Sequence, residues 1–233
     1  MSFTRWTPRN QFISALIISS LVSVALYGYG AVANHSLEYG FFIWNLILAW
    51  LPFLFAIWLT NVLGHKPWSS WEGITASVLW LLFLPNSFYI ISDLIHFREI
   101  ERHDVLFDAV MFMSFIITGM ILGFASLYLV QVQLRKRLSS LKAGFWVALT
   151  LLLCSIGIYI GRDLRWNSWD ILTNPGGLLF DLSDRILHPV IYGEMFVTIG
   201  SFFILLCSTY LLLWTSAKLL RGGPRAAEDS RFA

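Results

Sequence analysis

The run LPNSFYIISDLIH, residues 84 to 96, sets Asp93 and His96 three positions apart in an otherwise greasy stretch. At that spacing a carboxylate can fix the tautomer of an imidazole, and the two can serve as an acid/base pair. Wound as a helix at about 100° per residue with Asn86 at zero, Tyr89 falls near 300°, Ser92 near 240°, Asp93 near 340° and His96 near 280°. These polar groups share one side, and Phe88, Ile90, Ile91, Leu94 and Ile95 occupy the other, between about 40° and 200°. Pro85 removes a backbone donor, so a kink is expected there with a carbonyl released near position 81 and Asn86 beside the break to bond a freed group.

A second group lies in GRDLRWNSWD, residues 161 to 170. Arg162 and Arg165 are about one turn apart with Trp166 and Trp169 beside them. Such a pair can hold a carboxylate or phosphate through planar bidentate bonds, and indoles sit well at the level of lipid headgroups. Between the two groups, Asp104 and Asp108 open a further apolar segment. A carboxylate at that place suits a helix N-terminus, and Asp108, the deeper of the two, calls for a partner on another helix. Asp108 or Asp170 could join Asp93 and His96 around a divalent cation. However, there is no HExxH, no Gly-x-Ser-x-Gly elbow and no second histidine at ligand spacing, because His103 and His188 belong to surface segments. No metal and no cofactor is therefore predicted.

The elements that must position these groups are membrane helices. The chain has 233 residues, 57% of them hydrophobic and 13% charged, with a mean hydropathy of +0.69. That is far from the balance of a soluble domain. Apolar segments at about 11–33, 40–63, 72–97, 105–131, 143–161 and 190–219 are each long enough to cross a bilayer. They are too long and too uniformly apolar for barrel strands. The expected fold is all-α: a polytopic bundle of six transmembrane helices forming one domain over 1–233, with 220–233 a flexible cytoplasmic tail.

Charge sets the orientation. With the termini and the loops at 64–71 and 132–142 inside, Arg5, Arg9, Lys66, Arg135, Lys136, Arg137, Lys142, Lys218, Arg221, Arg225 and Arg231 lie in the cytoplasm, eleven of the sixteen basic residues. Arg98, Arg102, Arg162, Arg165 and Arg185 lie outside, with eleven of the fourteen acidic residues. The RKR cluster at 135–137 acts as an inside anchor. Ala31-Val32-Ala33 resembles a signal-peptidase site, but the apolar run before it is longer than a typical h-region, so the first span is expected to stay. A net charge of +2 without a basic patch argues against nucleic acid. Cys154 and Cys207 sit within apolar runs as small hydrophobes.

The long outer connection contains one more helix. Asn174-Pro175 reads as a cap followed by proline at the first helical position. Leu178, Leu179, Leu182, Ile186 and Leu187 then alternate with Asp181, Asp184, Arg185 and His188, giving a short interfacial helix with Asp181/Arg185 and Asp184/His188 pairs.

Taken in order and spacing, LPNSFYIISDLIH, FDAVMFMSFIITGMILGFASLYL and GRDLRWNSWD resemble the bacterial membrane family catalogued as domain of unknown function 1361, over about residues 40 to 215. The matching residues are Pro85, Asn86, Tyr89, Asp93, His96, Asp108, Arg165, Trp166, Asn167, Trp169 and Asp170. Phe107 departs from the pattern, where a tyrosine is expected. The resemblance implies an integral protein of a bacterial inner membrane and brings no assigned activity. By the charge argument all these groups map to one outer face, so a composite site is expected there for a lipid headgroup, a small ligand or a partner protein, with Asp93 orienting an arginine. Two other readings stay open: an intramembrane enzyme acting on a lipid or lipid-linked substrate, and a transporter or channel. Pro52 and Pro85 both fall in the first half of the chain, an asymmetry that weighs against an inverted repeat.

Overall fold

The computed structural model describes residues 7–99, 105–166 and 170–221, without the side chains of 96–99, 171–172 and 220–221. Six helices are long and apolar enough to cross a membrane. They are α1 (Pro8–Asn34), α2 (Phe41–Val62), α3 (Trp71–Tyr89), α4 (Val105–Arg135), α5 (Ser140–Arg162) and, after two short helices, α8 (Gly193–Arg221). The short ones are α6 (Asp170–Thr173) and α7 (Pro175–Leu187). The described chain is thus an all-α membrane bundle. Asp104 and His103 lie outside the described residues, as do Asn167 and Trp169.

Local sequence explains where the helices start. Ser70 and Ser139 accept hydrogen bonds from the backbone N–H of Gly73 and Lys142, three residues on, and so cap α3 and α5. Thr7 does the same for α1, where Pro8 takes the first position. Ala31, Val32 and Ala33 continue α1 as helix. That helix is built into the bundle: Ser19 and Thr118 of α4 share a hydrogen bond at 2.7 Å, and Gly30 abuts the Phe107 ring. Phe107 also packs against Tyr29, with ring centroids 5.3 Å apart.

The core has two parts. Phe42, Phe112 and Phe115 anchor one, where α2 meets α4 and α1. Trp80, Phe88, Phe124 and Leu151 anchor the other, where α3 lies against α4 and α5 and α8 packs on α5. Cys154 is buried in the second part and Cys207 is half-buried against it.

α3 is held unusually close on two sides. A methyl group placed on Gly123 of α4 would stand 2.8 Å from the Phe88 ring, and one on Gly119 would stand 2.9 Å from Ile90 and 3.1 Å from the Ser87 carbonyl. On α5, a methyl on Gly157 would stand 2.9 Å from the Pro85 ring, and one on Gly161 3.2 Å from the Tyr89 ring. Each pair is a G-x-x-x-G, the spacing that lets helix backbones approach where lipid gives no hydrophobic drive. Pro85 therefore does more than interrupt hydrogen bonding, because its ring fills the space that Gly157 leaves.

The α-helix runs through Pro85 as far as Tyr89 and then tightens into a 3-10 helix over Ile90–Glu99. The Asn86 amide donates to the Phe83 carbonyl at 3.1 Å, so it does bond backbone next to the proline, although not at position 81. The tightening also alters the expected faces. In a 3-10 helix residues three apart eclipse, so Ile90 and Asp93 line up and both are buried, whereas Leu94 and Ile95 stay exposed. The uniform step of about 100° left Ile90 about 60° from Asp93, at the edge of the apolar face.

The glycine contacts lead to a first prediction. Gly157→Leu and Gly123→Leu should each lower stability by about 1–3 kcal/mol through overpacking against rigid rings. Gly144→Ala, on the same α5 but with open space around it, should leave stability unchanged or slightly raised. Thermal unfolding in detergent micelles compares the three.

Candidate functional site

At the end of the bundle where the 3-10 continuation of α3 meets the end of α5, the polar groups converge in two layers. The inner layer is built on α3. Asp93 is only 3% exposed, and its Oδ2 accepts a 2.7 Å hydrogen bond from the Asn45 amide of α2. Asn45 sits one helical turn from Ala49, whose carbonyl accepts the Ser87 hydroxyl at 3.0 Å. Two hydrogen bonds thus join α2 to the segment of α3 and its 3-10 continuation that carries Asp93.

From α5, Arg162 donates a 2.6 Å hydrogen bond to the Ser92 carbonyl. The guanidinium is fixed through a neutral acceptor, so its charge is placed without being cancelled by that bond. Tyr89 lies between these groups. Its ring rests on Gly161, and its phenol is within electrostatic reach of Asp93, Arg162 and Asp163. Asp108 is buried, 2% exposed, in the first turn of α4, where the helix dipole favours a carboxylate.

The outer layer is the strap from Asp163 to Tyr192. Arg165 has a left-handed backbone, φ 58°, a conformation costing a non-glycine residue roughly 1–2 kcal/mol. With that reversal the Trp166 N–H reaches the Ile160 carbonyl at 3.3 Å. The Trp166 indole then donates to the Asp181 carboxylate of α7 at 3.0 Å, and its ring lies over Gly177. Asn174 caps α7 by accepting the Gly177 N–H at 3.1 Å, with Pro175 at the first position. Of the two expected side-chain pairs in α7, Asp184 and His188 meet at 3.2 Å. Asp181 and Arg185 do not pair as carboxylate and guanidinium. Arg185 donates to the Asp181 carbonyl at 3.1 Å, since the Asp181 carboxylate bonds Trp166. The Tyr192 phenol donates to Asp184 at 3.0 Å and carries Arg185 over its ring. The Asp184 carboxylate holds that phenol protonated and raises its pKa.

Asp163 ties the layers together. The residue is exposed, yet partial burial of the carboxyl raises its pKa, while Arg162 and Arg185 pull the other way and Glu194 adds to the rise.

The structure brings some of the expected residues together and separates others. Tyr89, Asp93 and Arg162 meet, Trp166 joins them through the strap, Arg165 is exposed at the turn, and Asp108 is buried in α4. Asn86 faces its own helix through Phe83, and Asp170 opens α6, where it bonds Thr173. The His96 side chain lies outside the described residues, as do Asn167 and Trp169. Among the described residues no three His, Cys, Asp or Glu side chains gather as a metal site. Asn45 was not among the expected residues. Its signal was a lone amide in a run of apolar and aromatic side chains, FFIWNLILAW, where a polar group serves as interhelical glue.

The family described as Protein of unknown function (DUF1361) matches residues 44–208. This chain belongs to that family. The match begins one residue before Asn45 and takes in both glycine pairs, Asp93, Arg162 and the whole of α7. No curated protein and no solved structure matches the chain.

Two predictions test this site in the family member. Asn45→Leu leaves buried Asp93 without an amide donor and should cost about 1–3 kcal/mol. Asp93→Leu in addition should cost less than the sum of the two single changes, and a double-mutant cycle on unfolding reads the coupling. Asp163 gives a pH test. Its folded pKa is raised, so the folded state binds the extra proton, and stability is lost as pH climbs from the ordinary carboxylate value through the raised one. Asp163→Asn should remove that decline, seen as melting temperatures of variant and parent that diverge with rising pH.

Proposed function

We propose that this chain is a bacterial inner-membrane protein with both termini in the cytoplasm, and that its polar end faces outward as a recognition site for a phosphoryl group. The ligand is a lipid headgroup or a small solute bearing the same group. The observation that carries the reading is Arg162, half-buried and anchored on the Ser92 carbonyl. Anchoring through a carbonyl leaves a positioned cation with further N–H donors for a bidentate acceptor. Arg165 is exposed three residues on, and Arg185 stands close enough to act on Asp163. The Asn45–Asp93 bond and the Tyr89 ring on Gly161 hold the segment whose Ser92 carbonyl anchors Arg162. Recognition is favoured over chemistry because Asp93 is committed to a structural bond and buried below the arginine. The orientation rests on the positive-inside bias, with eleven of the sixteen basic residues in the terminal segments and the loops at 64–71 and 132–142.

Orientation is tested with Arg165→Cys in a Cys207→Ser background. A membrane-impermeant maleimide should label it in intact cells, and labelling only after the membranes are opened would reverse the topology. For ligand, glycerol 1-phosphate and phosphatidylglycerol are each added to protein in detergent, and the melting temperature is followed for parent and Arg162→Gln. Stabilisation of the parent alone by the soluble phosphate supports a solute or headgroup site. Arg162-dependent stabilisation by the lipid alone assigns the phosphoryl group to a lipid. Indifference of Arg162→Gln to both, shared by the parent, overturns the reading, and conversion of either compound would mark an enzyme instead.

A further inference from the structure

The basic end of the bundle, opposite the Arg162 site and sharing no residue with it, carries a groove of about 640 Å³ that opens between α1 and α8 over the surface of α4. That volume falls within the roughly 300–1,000 Å³ typical of ligand sites. Its walls are Phe12 and Ile13, Phe53 and Ile57, Phe124 and Leu213, almost wholly apolar. Lining positions on α4 run from Ile121 to Leu129, a rise of about 12 Å, less than half of a hydrocarbon core roughly 30 Å thick. The groove is thus confined to the depth of one leaflet.

Its mouth is polar and positive. Arg9, Tyr128 and Leu129 line both the groove and an adjoining space of about 220 Å³ that also contains Thr60 and Gln133. Trp214 forms the rim on α8. Arg135 lies 5.1 Å and Lys218 5.3 Å from its ring centroid, and Tyr128 and Tyr210 pack against it. A dry slot one leaflet deep beneath three cations has the form of a lipid: chain below, negative headgroup above.

We propose that this groove holds an acyl chain of an anionic phospholipid from the leaflet at the basic end, with the phosphate at Arg9 and the Arg135–Lys218 pair beside it. The groups play distinct parts. Arg9 closes the apolar slot and opens the polar one, so it meets the phosphate where chain gives way to headgroup. Arg135 and Lys218, held on Trp214, supply further positive charge at the rim. The Gln133 amide offers a neutral donor to the remaining headgroup oxygens.

The test reconstitutes the full chain in nanodiscs of phosphatidylglycerol or phosphatidylcholine carrying a photoreactive group in the acyl chain, with cross-links mapped by mass spectrometry. The expected result is cross-linking on Leu213, Ala217 and Phe12 with phosphatidylglycerol and several-fold less with phosphatidylcholine. Arg9→Gln should lose about fivefold of the anionic-lipid signal, the worth of one basic group near a membrane surface. Ala217→Phe, which narrows the slot without changing charge, should lose it while the melting temperature stays near that of the parent. If Ala217→Phe unfolds, Ala125→Leu replaces it. Equal cross-linking by the two lipids, or a signal indifferent to Arg9 and to filling, overturns the proposal. So does protein-to-protein cross-linking from Leu213→Cys at the expense of lipid, which would assign the groove to a second copy of the chain.

Discussion

Two helices can grip α3 because Gly119 and Gly123 of α4 and Gly157 and Gly161 of α5 present no side chain toward it. In lipid, apolar side chains gain little by leaving one hydrocarbon surroundings for another, so association depends on close packing and interhelical hydrogen bonds. The glycine pairs provide the first and fix the depth at which α3 sits. The second then follows from register. With Ser87 seated at Gly123, its hydroxyl reaches the Ala49 carbonyl of α2, and one turn along α2 Asn45 arrives opposite Asp93. With Tyr89 on Gly161, the next residue of α5 is Arg162, which reaches the Ser92 carbonyl. The polar end is a continuation of the packing below it.

The change from α to 3-10 geometry after Tyr89 belongs to the same constraint. An α-helix drawn on from Tyr89 leaves Ile90 and Asp93 about 60° apart around the axis. A 3-10 helix stacks the two, so Ile90 can fill the space left by Gly119 while Asp93 meets Asn45. Both burials are satisfied by one local tightening. The buried carboxylate also gains its hydrogen bond within protein, which an ionisable group inside a membrane span requires.

What the sequence made legible and what it hid divide along physical lines. Six spans, the cap at Asn174 and the amphipathic α7 depend on composition and on residues a few positions apart, and all were readable. Tyr89, Asp93 and Arg162 were also readable as polar groups in costly places. The partners were not, because a hydrogen bond between Asn45 and Asp93 spans 48 residues of chain and its register is set by glycine contacts elsewhere. The choice of Arg162 over Arg165 as the residue that reaches α3 turned on where α5 ends. Arg162 is its last residue, and Arg165 lies beyond it in a left-handed turn. The G-x-x-x-G spacings at 119/123 and 157/161 were present in the sequence and were the missed clue to that register.

The two ends of the bundle solve opposite problems with the same chain. At the mixed-charge end, buried polar groups must be matched inside protein, so Asn45 of α2 and Arg162 of α5 both reach the segment that continues α3. α1 and α8 are the least buried of the six long helices, which frees them to stand apart at the basic end. There, Trp214 of α8 is held by Tyr128 and Arg135 of α4 and by Tyr210 and Lys218 of its own helix. A void lined by aliphatic and aromatic groups would sacrifice dispersion contacts if left empty. Next to a bilayer, hydrocarbon from the lipid is the material at hand to replace them. The core around α3 can therefore be rigid without the whole bundle being closed, and the open side is the one that carries the excess of positive charge.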